Sequence, residues 1–171
     1  ELLSRAASVE DGAVVYEHVD LSDGAALEGG LGRGLSAHGN VDILINNAAI
    51  YPAKPFEEFT VAEHRAVQAV NVDAHVQCVR SVLPAMRATG WGRIINVSSV
   101  TFYGGWDKLY PYVASKGALI GLTRAWAREF GRYGVTVNAV APGAFPTDAE
   151  KIHPDPEGYT RFVLDNQALK R

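Results

Sequence analysis

The chain has 171 residues, within the range of a single domain, and its 47% apolar and 20% charged content is ordinary for a globular protein. A formal net charge of −3 argues against nucleic acid or an anionic membrane as partner, and no apolar run reaches the roughly 18 residues that span a bilayer. One cysteine, Cys78, excludes an intrachain disulfide framework and a Cys-rich metal site, and five histidines without HxxxH or HExxH spacing argue against a bound metal.

In chain order, the opening ELLSRAASVEDG has neither the basic start nor the apolar centre of a signal peptide, so a cytoplasmic protein is the default expectation. The apolar run at residues 13–19 predicts a strand, and residues 22–39 predict a helix weakened by glycine. Residues 41–47, VDILINN, are almost continuously apolar, as in a strand buried on both faces. A long helical pattern follows over residues 60–89. Val72, Val76, Val79, Leu83 and Met86 form one apolar stripe in it, and Pro84 is expected to kink or shorten it. Residues 93–99 read as a strand, 111–133 as a helix, 135–141 as a strand, and 157–169 as a helix after a proline-rich loop.

Alternating strands and helices predict an α/β fold, a Rossmann-like doubly wound parallel sheet with helices on both faces. Ligands of such sheets bind beyond the carboxyl ends of the strands. Here those ends carry Asp20, Asn46-Asn47-Ala48-Ala49, Ser98-Ser99 and Pro142-Gly143, all small, polar or turn-forming. They are expected to line one edge as a site. The stretch YPYVASK adds a second signal. Pro111 suits the first turn of a helix, in which Tyr112 and Lys116, four apart, share a face while Tyr110 points elsewhere.

Six segments in this order carry a resemblance: VDLSD (19–23), NNAA (46–49), NVDAHVQCV (71–79), GRIINVSS (92–99), YVASK (112–116) and NAVAPGAFPT (138–147). Together they resemble the short-chain dehydrogenase/reductase family of classical type along nearly the whole chain. Ser99 stands thirteen residues before Tyr112, which is the family's usual interval. The resemblance implies an NAD- or NADP-dependent oxidoreductase that interconverts a ketone and a secondary alcohol, with Asn71, Ser99, Tyr112 and Lys116 in catalytic roles. Tyr112 would be the proton donor or acceptor. An ordinary phenol has a pKa of about 10, and a Lys116 ammonium beside it, with a positively charged nicotinamide, is expected to lower that value. Lys116 would also meet the nicotinamide ribose, Ser99 would hydrogen-bond the substrate oxygen, and Asn71 would hold a relay water.

The resemblance also implies the cofactor contacts. Asp20 and Leu21 would meet the adenine, and Asn47, Ala48 and Ala49 the adenine ribose. Pro142 and Gly143 would turn beneath the nicotinamide, with Phe145 and Thr147 beside its carboxamide. Ala49 stands where the family has glycine, so the turn must avoid a positive φ there. The family's glycine-rich pyrophosphate turn and its last strand have no counterpart, so residues 1–171 are expected to be the central part of one longer catalytic domain. GLGRG (30–34) has the wrong spacing for that turn and follows no strand.

The aromatic residues Phe102, Tyr103, Trp106, Phe145 and Phe162 have two readings, as core residues or as the lining of a pocket for an apolar or aromatic small-molecule substrate. The segment from NNAAIYP to GWGRIIN is also similar to aryl-alcohol dehydrogenases and to 3-oxoacyl carrier-protein reductases, but no basic patch announces an acidic carrier protein. A non-catalytic or inactive member is the reading from a second class. The helices at 60–89 and 111–133, with Val67, Val70, Val82 and Ala85 as surplus apolar positions, are expected to pair with a symmetry mate in a homodimer or homotetramer.

Overall fold

The computed structural model describes residues 14–144 and 155–166. Helix α1, Gly24–His38, opens at Asp23, whose carboxylate accepts the N–H groups of Ala25 and Ala26 at 2.9 and 3.0 Å. Strand β1 is Ile43–Asn46. Helix α2, Val61–Gln68, starts at a capping box made by Thr60 and Glu63. A π-helical turn, Ala69–Asp73, joins it to α3, Ala74–Thr89. Then come β2, Gly92–Val97, the short α4, Thr101–Gly104, and the long α5, Tyr110–Phe130, with Pro111 in its first turn. Strand β3 is Val135–Val140, and helix α6 is Pro156–Asn166. The helix expected to reach residue 169 is described only as far as Asn166.

The three strands are parallel in the order β1-β2-β3, with Asn46 level with Asn96 and Val97 level with Val140. This is the parallel α/β sheet that the alternating pattern predicts. Helices α3 and α5 cover one face, where Val79, Val82 and Met86 meet Ile94, Phe130, Val135 and Val137. The other face is open among the described residues: Ile43 is 54% and Ile45 58% exposed, so the expectation that β1 is buried on both sides is met on one. Residues 14–19, expected to be a strand, make no ladder among the described residues, and Val14, Val15 and Tyr16 are exposed. An apolar run becomes a strand only where a neighbour takes up its N–H and C=O groups.

The apolar stripe along residues 60–89 also differs from its sequence reading. Val79 and Met86 are core residues and Leu83 packs against them, but Val72 and Val76 are only half-buried. Val67, Val70 and Val82, expected to face outward, are 1, 9 and 2% exposed. A π turn closes i→i+5 bonds, so a stripe counted in α-helical steps does not continue across residues 69–73. Pro84 does not shorten α3, which runs through it to Thr89. Both Pro84 and Arg80, whose carbonyl loses its donor there, are exposed, so water can replace the missing bond. No helix among the described residues is long and apolar enough to cross a membrane.

Candidate active site

The site is built where β1 and β2 end and α5 begins. Asn46 and Asn96 occupy the last core-facing position of their strands, 3 and 0% exposed. Buried amides must be hydrogen-bonded, and these are bonded to each other. Asn46 donates to Asn96 Oδ1 at 2.8 Å, Asn96 donates to Thr123 Oγ1 at 2.8 Å, and Thr123 donates to Leu119 O at 2.7 Å. This chain of bonds fixes α5 across the strand ends. Just beyond, Ser98 Oγ donates to Lys116 O at 2.8 Å and Ser98 N to Val140 O at 2.8 Å. The helix carrying Tyr112 and Lys116 is therefore locked to the edge that carries Ser99.

Lys116 is 2% exposed, and its Nζ donates to Val97 O at 2.7 Å. The same nitrogen lies 5.4 Å from the centroid of the Tyr112 ring. Burial pulls the ammonium down to about 8 from an ordinary 10.5. Tyr112 is half-buried, with the Tyr51 ring edge-on at 6.0 Å. Tyr110 turns the other way and stacks on His64 at 5.5 Å, as its spacing predicts.

The Tyr112 phenol is held above its ordinary value of 10, first by burial and also by the nearby Tyr51 phenol. The Ser99 hydroxyl acts in the opposite direction, although no hydrogen bond of ordinary geometry joins the two. Lys116 by itself therefore does not supply the lowering expected of it together with a positively charged nicotinamide. A lysine that has lost its proton near pH 8 carries no charge when a phenol titrates above 10, so no ammonium is there to draw it down. Ser99, 7% exposed, meanwhile accepts from Thr101 Oγ1 at 2.9 Å.

Asn71 lies within the π turn and is fully buried. Its Oδ1 accepts Ile50 N at 2.8 Å, and its Nδ2 donates to Ile50 O at 2.9 Å and to Ser115 Oγ at 3.0 Å. Both amide donors are spent, so the Asn71 side chain could hold a water only through Oδ1. Asn71 thereby ties the segment after β1 to the residue beside Lys116. Asn47 and Ala48 are exposed on that segment and Ala49 is half-buried without a positive φ; Lys108 is the non-glycine residue with one among the described residues.

Pro142 O accepts Val100 N at 3.2 Å, which brings the exit of β3 beside Ser99, and Gly143 is exposed there. Asp20 and Leu21 lie in the turn before α1. Asp20 Oδ1 accepts both Ser22 Oγ and Ser22 N, which lowers its pKa, and Asp23 caps α1. Phe145 and Thr147 lie outside the described residues. The structure thus gathers Asn71, Ser99, Tyr112 and Lys116 with residues 47–50 and Pro142. Asp20 and Leu21 lie at the start of α1, which Gln77 of α3 joins by donating to Gly24 O at 2.7 Å.

Sequence reading missed three groups: the Asn46–Asn96–Thr123 chain, Tyr51 and His75. A signal existed for the first, because an asparagine ends each of two apolar runs. For His75 the signal was its position four residues after Asn71.

The profile of the short chain dehydrogenase family matches residues 2–157. The chain belongs to this family. Among similar dehydrogenases is the D-beta-hydroxybutyrate dehydrogenase of Rhizobium meliloti (strain 1021), 32% identical over 95% of this chain and 63% of that protein. Another is the meso-2,3-butanediol dehydrogenase of Serratia marcescens, 36% identical over 84% of this chain and 57% of its own. Among solved structures, a gluconate 5-dehydrogenase from Burkholderia cenocepacia J2315 in complex with NADP and tartrate superposes with a TM-score of 0.85. Its identity is 29%, over 96% of this chain and 64% of that one. The chain spans between about half and two thirds of the length of these relatives.

A nicotinamide dinucleotide is the cofactor this dehydrogenase fold implies, and the residues present fit one. The buried Lys116 ammonium has three donors and Val97 O as its one described acceptor, which leaves two for ligand hydroxyls. It lies at the carboxyl edge of a parallel sheet, where such a ligand is expected. Among the described residues no three His, Cys, Asp or Glu side chains gather as a metal site would require.

Proposed function

We propose that residues 1–171 belong to one NAD(P)-binding catalytic domain that interconverts a ketone and a secondary alcohol. The observation that carries this reading is a half-buried phenol, Tyr112, with the Nζ of a buried lysine 5.4 Å from its ring and Ser99 on the adjacent strand end. NAD or NADP, when bound, supplies or takes up the hydride. Asp20, Leu21, Asn47, Ala48, Ala49, Pro142, Gly143, Phe145 and Thr147 are the residues proposed to hold it, with Lys116 on ribose hydroxyls.

The chain's own part is to manage the proton and the charge on oxygen. In reduction, Tyr112 Oη donates its proton to the nascent alkoxide, and in oxidation it receives the alcohol proton. A phenol held above 10 stays protonated at neutral pH, the form that reduction needs. Oxidation needs the phenolate, which a cationic nicotinamide would favour, joined by Lys116 only below about pH 8, where the lysine is charged. The Ser99 hydroxyl orients the substrate oxygen, and Asn71 orders the path behind Lys116. Tyr51, 40% exposed and edge-on to Tyr112, and Trp106, 40% exposed and packed on Phe162, support an apolar or aromatic ketone as substrate. A homodimer or homotetramer built on α2–α3 and α5 is part of the same proposal, and a cytoplasmic location fits it.

The test is Tyr112→Phe in the full-length protein. NAD(P)H-dependent ketone reduction should fall by about 10²- to 10⁴-fold while dinucleotide affinity stays within about threefold. Near wild-type turnover would remove Tyr112 from the reaction.

A further inference from the structure

His75 is a fully buried titratable side chain to which the proposed reaction gives no part. It is 2% exposed, in the first turn of α3, four residues after Asn71. Its Nε2 lies 3.0 Å from Ala48 O, and its Nδ1 is buried with no partner. A carbonyl oxygen only accepts, so the proton of this bond is on Nε2. The other nitrogen is then a bare lone pair, since a second N–H would be buried without an acceptor. Burial disfavours the imidazolium most; the bond to Ala48 O acts the other way, and the charge of Lys116 adds a smaller push against it.

A buried imidazole with an unspent lone pair is a poor way to fill a core position next to Ala74 and Val79, where an aliphatic residue would pack at no polar cost. What the histidine adds is one directed bond. Asn71 holds both backbone groups of Ile50, and His75 holds the carbonyl of Ala48, two residues earlier. The segment they grip runs exposed from Asn47 to Ala48 at the end of β1 and belongs to no helix or strand. Such a segment is mobile unless its backbone is tied down, and here two buried polar side chains of one helical stretch tie alternate residues.

We propose that His75 is a positioning residue: its Nε2–H fixes the Ala48 carbonyl, and so sets the backbone of residues 47–49 in the orientation that receives the dinucleotide. The second half rests on the function proposed above; the first does not.

Three variants separate the possibilities in the full-length protein. His75→Leu keeps the volume and removes the donor. His75→Gln restores an amide donor near the place of Nε2, whereas the shorter amide of His75→Asn falls short of it. In His75→Leu, amide hydrogen exchange at residues 48–50 should quicken by about three- to tenfold, and NADH or NADPH should bind weaker by about the same factor. Turnover at saturating cofactor should fall by a smaller factor than affinity. His75→Gln should recover both readouts and His75→Asn should not. Unchanged exchange in His75→Leu, or a glutamine variant no better than leucine, overturns the proposal. If the wild type bound neither NADH nor NADPH, the proposed function would fail while the exchange data still decided the role of His75. Should the leucine variant not fold, nitrogen NMR of the wild-type imidazole decides: an Nε2–H tautomer at neutral pH is expected, and an Nδ1–H tautomer or an imidazolium overturns the proposal.

Discussion

Lys116 shows at the residue scale how burial turns a common side chain into a tuned one. Its ammonium, 2% exposed, has an ordinary value of 10.5 in an unfolded chain and about 8 in the folded protein. Between these values the unfolded chain binds more protons than the folded one, so stability rises with pH across that window. Below about 8 both states are protonated and the full cost of burying the charge is present. Lys116→Met should abolish this slope, which denaturant midpoints measured from pH 7 to 10 would show; a parallel slope in the variant would assign it to another group. Spacing put Tyr112 and Lys116 on one face and the family resemblance singled out the pair, but the direction of the phenol's titration was not legible. Spacing gives proximity, whereas the sign depends on how dry the site is and on whether the lysine is still charged when the phenol titrates.

At the element scale, the connection from α3 into β2 and the approach to β3 depend on two glycines facing each other. Gly90 ends α3 with φ 70°, and Gly134 precedes β3 with φ 73°. A Cβ on Gly134 would lie 2.1 Å from Gly90 O, a backbone atom that cannot swing aside. Gly134→Ala should therefore cost at least about 2 kcal/mol, from the left-handed backbone and the collision together, read as a lower denaturant midpoint. Gly90→Ala, in the same left-handed conformation (φ 70°, ψ 18°) but with nothing within 4 Å of its Cβ, is the control for backbone strain alone. The π turn was not legible in the sequence, because hydrogen-bond register is not a property of hydrophobic spacing. Asn71 hinted at it: an asparagine amid helix formers competes with the backbone, and here its amide reaches Ile50 and Ser115 instead of solvent.

For the whole molecule, the proposed self-association makes a prediction that the packing has refined. Val67, Val70 and Val82 belong to the core and cannot serve an interface. Val72 and Val76, half-buried, remain as apolar positions on the stretch from the π turn into α3. Val76→Asp in the full-length protein should shift light scattering from dimer or tetramer toward monomer with little loss of the monomer's secondary structure, whereas Val82→Asp should unfold it. A monomeric wild type at micromolar concentration would end the assembly proposal.

The sequence by itself determined the alternation of strands and helices, the parallel sheet, and the family through six short segments. It also marked Ser99, Tyr112 and Lys116, because local periodicity and motif spacing are written along the chain. Which residues of α2 and α3 face the core depended on a π turn. The partner of each buried amide depended on β1 and β2 being level at Asn46 and Asn96. The task of His75 depended on Ala48 lying within reach, 27 residues earlier in the chain. Those are long-range contacts and the burial they create, and only the tertiary structure could decide them.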